Sequence, residues 1–83
     1  MKILYFASLK VKTRIAQEEV ALPPSVRTVA QFEDWLKEQG PAHAEAFADL
    51  RTVRVAINQE HAGFEAAISD GDEVAFFPPV TGG

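Results

Sequence analysis

Residues Lys2 to Leu9 carry apolar side chains on both alternating parities, with Ile3, Tyr5 and Ala7 on one and Leu4 and Phe6 on the other. A strand patterned this way is covered on both faces, so it belongs inside a sheet and not at its edge. The rest of the chain must therefore supply neighbours for it. Lys10 to Arg14 is basic and reads as a turn or a short helical turn. Ile15 to Leu22 holds a weaker strand paired to the first, with Val20 and Leu22 on the parity of Glu18, and Pro23-Pro24 ends it. Val53, Val55 and Ile57 alternate with Arg54, Ala56 and Asn58, a half-buried strand, and Asn58 to Gly63 reads as a turn and return. Ser69-Asp70-Gly71-Asp72 is turn chemistry, because Gly tolerates positive φ and Asp bonds its own backbone. Glu73 to Phe77 is the last strand, with Val74 and Phe76 on one face and Ala75 and Phe77 on the other. Pro78-Pro79 then closes the sheet by removing two backbone donors.

Helical periodicity falls between the two strand pairs. Thr28 and Gln31 fit a capping box, and Val29, Phe32 and Leu36 recur at three- and four-residue spacing beside Trp35. On that pattern Glu33, Asp34, Lys37 and Glu38 face outward. Gly40-Pro41 stops this helix, and an alanine-rich one follows from Ala42 to Leu50 with His43, Ala46, Phe47 and Leu50 on one stripe. Helices grouped between strand pairs make an α+β domain, with helices on one sheet face and the strands flanking them parallel at the centre.

At 83 residues the chain has surface enough for one core only. Much of its apolar content is alanine, so six Phe, one Tyr and one Trp must supply the core volume. Little remains for a buried catalytic cavity. The absence of cysteine excludes disulfides, thiolate zinc sites and cysteine nucleophiles, and fits a cytoplasmic protein. The N-terminal apolar run, broken by Ser8 and Lys10, lacks the length and cleavage site of a signal peptide, and no stretch is long enough to span a membrane. A net charge of −4 argues against general nucleic-acid binding and suits a protein partner or plain solubility.

The terminus reads Pro78-Pro79-Val80-Thr81-Gly82-Gly83, which divides the chain into a domain over 1–77 and an extended tail over 78–83. Pro-Pro favours a stiff polyproline path, and the tail reaches roughly 20 Å at about 3.3 Å per residue. Glycine has a narrow cross-section, so the backbone can thread a channel that any Cβ would block. A carboxylate is a poor electrophile until joined to AMP. The thiocarboxylate that sulfur attack then yields is anionic and nucleophilic, as the thiolate is the reactive form of cysteine. With Gly near 7% of residues, a terminal pair arises by chance about once in 200 chains, so the pair alone does not identify such a tail.

The run Asp70-Gly71-Asp72-Glu73-Val74-Ala75-Phe76-Phe77-Pro78-Pro79-Val80-Thr81-Gly82-Gly83 resembles the C-terminal signature of the MoaD family, the small subunits of molybdopterin synthase. Lys2-Ile3-Leu4-Tyr5-Phe6-Ala7 and Val55-Ala56-Ile57-Asn58-Gln59 resemble that family at matching positions, whereas Lys10 to Arg54 matches only in element order. The resemblance implies a ubiquitin-like β-grasp, a mixed sheet of four to five strands with helices on one face. It implies that an E1-like adenylyltransferase activates the carboxylate of Gly83 with Mg-ATP and that a sulfurtransfer system makes the thiocarboxylate. The tail then enters the large synthase subunit, in an expected heterotetramer of two small and two large subunits, and donates sulfur to cyclic pyranopterin monophosphate. Two rounds give the dithiolene of molybdopterin. On this reading Gly83 carries the chemistry, and Gly82, Thr81, Val80, Pro79 and Pro78 form the inserted arm. This chain itself binds no cofactor, no metal, no nucleic acid and no membrane, and is a subunit without a complete active site.

Phe77 has the parity opposite to Val74 and Phe76, so it faces outward beside the tail and is the leading interface anchor, with Phe6 and His61 as further candidates. Phe6 has the alternative of being core. His43 reads as a helix-surface residue, and the two histidines lack metal-ligand spacing. Asp70 and Asp72 lack the remaining ligands of a calcium loop. Glu18-Glu19 and Glu33-Asp34 read as solvated faces, and Ser8, Ser25 and Ser69 have no nucleophile-elbow context. Two other readings remain: a carrier of the same fold serving thiazole or tRNA thiolation, and a non-catalytic ubiquitin-like interaction module.

Overall fold

In the computed structural model, which describes residues 1–79, the order is β1 (Lys2–Tyr5), α1 (Ala7–Thr13), β2 (Gln17–Glu19), α2 (Val29–Lys37), α3 (Pro41–Ala46), a 3-10 turn (Leu50–Thr52), β3 (Arg54–Ile57), β4 (Glu60–Ala62) and β5 (Glu73–Phe77). The five strands form one sheet in the order β2-β1-β5-β3-β4. β1 and β5 run parallel, with Ile3 opposite Val74 and Tyr5 opposite Phe76; β3 pairs antiparallel with β5, and β2 and β4 complete the edges antiparallel. The last strand in sequence is thus the middle strand in space.

The first strand is shorter than its apolar run suggests. Ala7 adopts φ 50°, a left-handed conformation costing roughly 1–2 kcal/mol for a residue with a Cβ, and this turns the chain out of the sheet. Ala7–Thr13 then winds as α1, burying Leu9 and Thr13 one helical turn apart, so of the two readings of the basic segment the helical one holds, with Arg14 as the C-cap. β1 is interior as expected, but helices cover only one of its faces: Ile3 and Tyr5 are buried while Leu4 is half-buried on the open side.

Phe76 is the hub of the core. Phe47 meets it edge-on at 4.9 Å, and Tyr5 and Phe32 stack against it at 6.1 and 6.2 Å. Aromatic volume substitutes here for the bulk that alanine cannot give. α2 carries the expected capping box, with the Gln31 amide N–H donating to the Thr28 hydroxyl at 3.3 Å and the Gln31 side chain accepting from the Thr28 amide.

Glu33 departs from its predicted place on the outer face. It is 0% exposed, and neither carboxylate oxygen has a hydrogen-bond partner among the described residues. Burial pushes its carboxyl up to about 7; the Lys37 cation draws it partly back and Asp34 adds to the rise. The stripe that α2 buries is therefore one residue wider than its apolar positions.

The second predicted helix is also shorter. Gly40, at φ 152°, lets the chain reverse, Pro41 starts α3, and the helix ends at Ala46, with Leu50 in the separate 3-10 turn. His43 is not a surface residue: its Nε2 lies 2.9 Å from Glu18 Oε2, and its ring meets Tyr5 edge-on at 6.1 Å. Glu18 is likewise not a solvated face residue, since its Oε2 also accepts the Tyr5 hydroxyl at 2.7 Å. Burial and the adjacent carboxylate push the Tyr5 phenol well above its ordinary range, so it stays a donor to Glu18.

Candidate functional site

The face opposite the helices is built by alternation. Ala75 and Phe77 of β5, Leu4 of β1, Ala56 of β3 and His61 of β4 share it, because Leu4 pairs with Ala75, Ala75 with Ala56, and Ala56 with His61. The open face is thus apolar along its middle and charged toward one end, where Lys2 and Glu73 pair at 4.0 Å.

The residues singled out by parity gather where β5 ends. Phe77 is half-buried, and the ring of His61 meets it edge-on at 5.4 Å and 90°. Phe6 is not core: it is 49% exposed, and its backbone N–H donates to Phe76 O at 3.0 Å, beside Phe77. It sits just past β1 as the N-cap of α1, so the left-handed Ala7 that follows presents it at the sheet's rim. Pro78 and Pro79 are half-buried and outside any strand. The predicted tail positions Val80, Thr81, Gly82 and Gly83 lie outside the described residues.

Sequence reasoning missed Arg54, which pairs in register with Phe77 and is exposed. Its Nη1 donates to Arg51 O and Val53 O at 3.1 and 3.3 Å. Only the strand register shows that it borders the exit; periodicity alone left it on a generic outer face.

The tip that launches β5 is held by side chains. Asn58 and Gln59, both at positive φ, make the two-residue hairpin loop between β3 and β4. Asn58 Oδ1 accepts the Glu73 amide at 3.0 Å, and its Nδ2 donates to Asp72 Oδ1 at 3.0 Å. Asp72 Oδ2 accepts the Ser69 amide at 2.8 Å. Asp70 Oδ1 accepts the Leu22 amide at 2.8 Å, and that bond, with the N-terminal ammonium nearby, holds its carboxyl below the usual carboxylate range. Asp72 thus bonds its own turn as its spacing predicts, whereas Asp70 ties the turn to the Leu22 segment 48 positions away. Among the described residues no three His, Cys, Asp or Glu side chains gather as a metal site.

A hollow of about 250 Å³ beside the exit is lined by Val53, Arg54, Val55, Ala62, Gly63 and Phe64. None of these residues can serve as a general acid or base at neutral pH. What this end of the molecule offers is a surface and an exit.

Residues 3–83 match the model of the ThiS family, through to the terminal Gly82-Gly83. The chain belongs to the ThiS family. The Escherichia coli protein called molybdopterin synthase sulfur carrier subunit is 38% identical over 84 residues, covering 100% of this chain and 99% of that one. Among solved structures, a Pyrococcus furiosus protein described as a molybdopterin converting factor, subunit 1, superposes with TM-score 0.75 at 28% identity, over 95% of each chain. SAMP1 from Haloferax volcanii superposes with TM-score 0.67 at 27% identity, covering 100% of this chain and 98% of that one. The fold of this ThiS-family chain is the ubiquitin-like β-grasp, as the resemblance implied, with five strands. No helix among its described residues is long and apolar enough to cross a membrane.

Proposed function

We propose that this chain is the sulfur-carrier small subunit of a molybdopterin synthase, working in the cytoplasm. The observation that carries the reading is the end-to-end match to a carrier subunit of that name, Gly-Gly terminus included, in a fold whose central strand is the last element before that terminus in sequence. An oxygen of the Gly83 carboxylate attacks the α-phosphorus of Mg-ATP held by an E1-like adenylyltransferase, and pyrophosphate leaves. A hydrosulfide-level sulfur then attacks the acyl carbon, AMP departs with the bonding pair, and the thiocarboxylate remains. Its sulfur adds to cyclic pyranopterin monophosphate in the large subunit, and hydrolysis of the acyl–sulfur bond returns the carboxylate. Two such rounds supply both sulfurs of the dithiolene, which suits a heterotetramer of two small and two large subunits. ATP and magnesium belong to the activating enzyme, and acid–base groups to the large subunit.

Phe77, with His61 against it and Phe6 beside it, is the docking anchor in this reading, and Pro78 to Gly82 are the slim arm. Phe77→Ala is expected to weaken binding to the large subunit by about 1–3 kcal/mol in calorimetry, the range for a buried aromatic anchor. Unchanged affinity would return Phe77 to ordinary surface.

The direct test is intact mass after incubation with the adenylyltransferase, ATP and a sulfur source. The chain should gain the difference between one oxygen and one sulfur. A mass that never changes removes the carrier function and leaves the interaction-module reading. A second reading is a carrier of the same fold delivering sulfur to another acceptor such as a thiazole precursor or tRNA. Mass gain without transfer to the large subunit's substrate would favour it.

A further inference from the structure

The positive charge of this acidic chain is unevenly spent. Lys2, Lys37 and Arg51 each have a carboxylate within 4.0 Å. Lys10, Lys12 and Arg14 fall at alternate positions of one short segment, 7–17 contains no acidic residue, and none of the three has a carboxylate within that distance among the described residues. The nearest acids border the far side: Glu45 shares a hollow with Lys12 and Arg14, and Lys12 is the least of the influences lowering Asp49.

Helix geometry orders these charges. Phe6, Lys10 and Arg14 follow one another at intervals of four, a row about 12 Å long at 1.5 Å per residue, starting at the exposed ring beside the exit of β5. Val11, 75% exposed, lies next to the row and opposite the buried Leu9 and Thr13. Lys10 and Lys12 lie in the last turn of α1 and Arg14 caps it, so the helix dipole favours their charge, but a dipole leaves them without any carboxylate partner. Arg14 itself sits at φ 63°, where glycine would be unstrained.

We propose that the row Phe6–Lys10–Arg14, with Lys12 and Val11 flanking it, is the electrostatic half of the docking surface and meets an acidic strip on the large subunit. This rests on the carrier reading above. The apolar rim around Phe77 sets how long the complex lasts, and the basic row sets how fast it forms. Opposite charges steer encounter and raise association rates in a salt-dependent way, whereas buried aromatics act mainly on dissociation.

The test compares three full-length proteins binding the cognate large subunit in stopped flow, at low and high salt. They are the wild type, Lys10→Gln/Lys12→Gln/Arg14→Gln, and a charge-matched control, Arg27→Gln/Lys37→Gln/Arg51→Gln. Circular dichroism confirms that each is folded. The first variant is expected to lose about tenfold in association rate at low salt, with a flatter salt dependence and little change in dissociation rate. The control should keep the wild-type salt dependence. Equal association rates in both variants would overturn the proposal while the Phe77 anchor and the mass gain stand. A wild type that gains sulfur yet never binds the large subunit would overturn it together with the synthase reading.

Discussion

A chain lacking Gly83, or carrying one residue beyond it, is expected to fold normally and to transfer no sulfur. No core residue lies beyond Phe76 among the described residues, and β5 ends at Phe77, so the described core is complete before the altered position. Stability should stay within about 0.5 kcal/mol of the parent, as for surface changes. Chemistry is far less tolerant. One residue shifts the terminal carboxylate by about 3.3 Å along an extended arm. A misplacement of even 1 Å can cost about a hundredfold, so both adenylation and delivery should fall below detection. Single-turnover product formation with the activating enzyme, ATP, a sulfur source and the large subunit provides the measurement. A deletion variant that still forms product at a comparable rate would remove the terminal carboxylate from the mechanism, whatever the relatives do.

How much of this was legible in the residues follows from what kind of force placed each one. The turns, the α2 cap and the alternation of β5 depend on contacts within a few positions, and Thr28, Asp72, Phe76 and Phe77 stand where their spacing put them. The parallel centre followed from the grouping of helices between strand pairs. The end of β1 did not, because Phe6-Ala7 continues the apolar run and Leu9 extends it past Ser8. What ends the strand is the left-handed Ala7 together with burial of Leu9 and Thr13 under a helix. His43 and Glu18 looked solvated for a similar reason. Glu18 takes the Tyr5 hydroxyl 13 positions away and the His43 ring nitrogen 25 positions away, and pairs of such separation leave no periodic trace. The site residues divide in the same way. Parity put Phe77 outward, and the strand register shows that His61 and Arg54 border it.

Glu33 gives the largest expected effect on stability. Its carboxyl is raised from an ordinary 4.5 to about 7 in the folded chain, chiefly by burial. The folded state therefore holds a proton that the unfolded state releases between those two values, and stability falls as pH rises through that window. Below about 4.5 the group is neutral in both states and costs nothing by ionisation; above about 7 the full penalty applies and the contribution is flat. The rise corresponds to about 3 kcal/mol, an upper figure because any water reaching the oxygens reduces it. Glu33→Leu removes the carboxyl and fills a similar volume with apolar atoms. Its stability advantage over the parent should grow from pH 4 to pH 8 by up to that amount, which in a domain of this size shifts the unfolding midpoint by about 10 °C or more. Denaturant melts of both proteins across that range isolate the effect, since every other titrating group is shared. An advantage that stays constant with pH would mean the carboxylate is charged and hydrated in the folded chain. The residue would then be free to sit on the outer face its spacing first suggested.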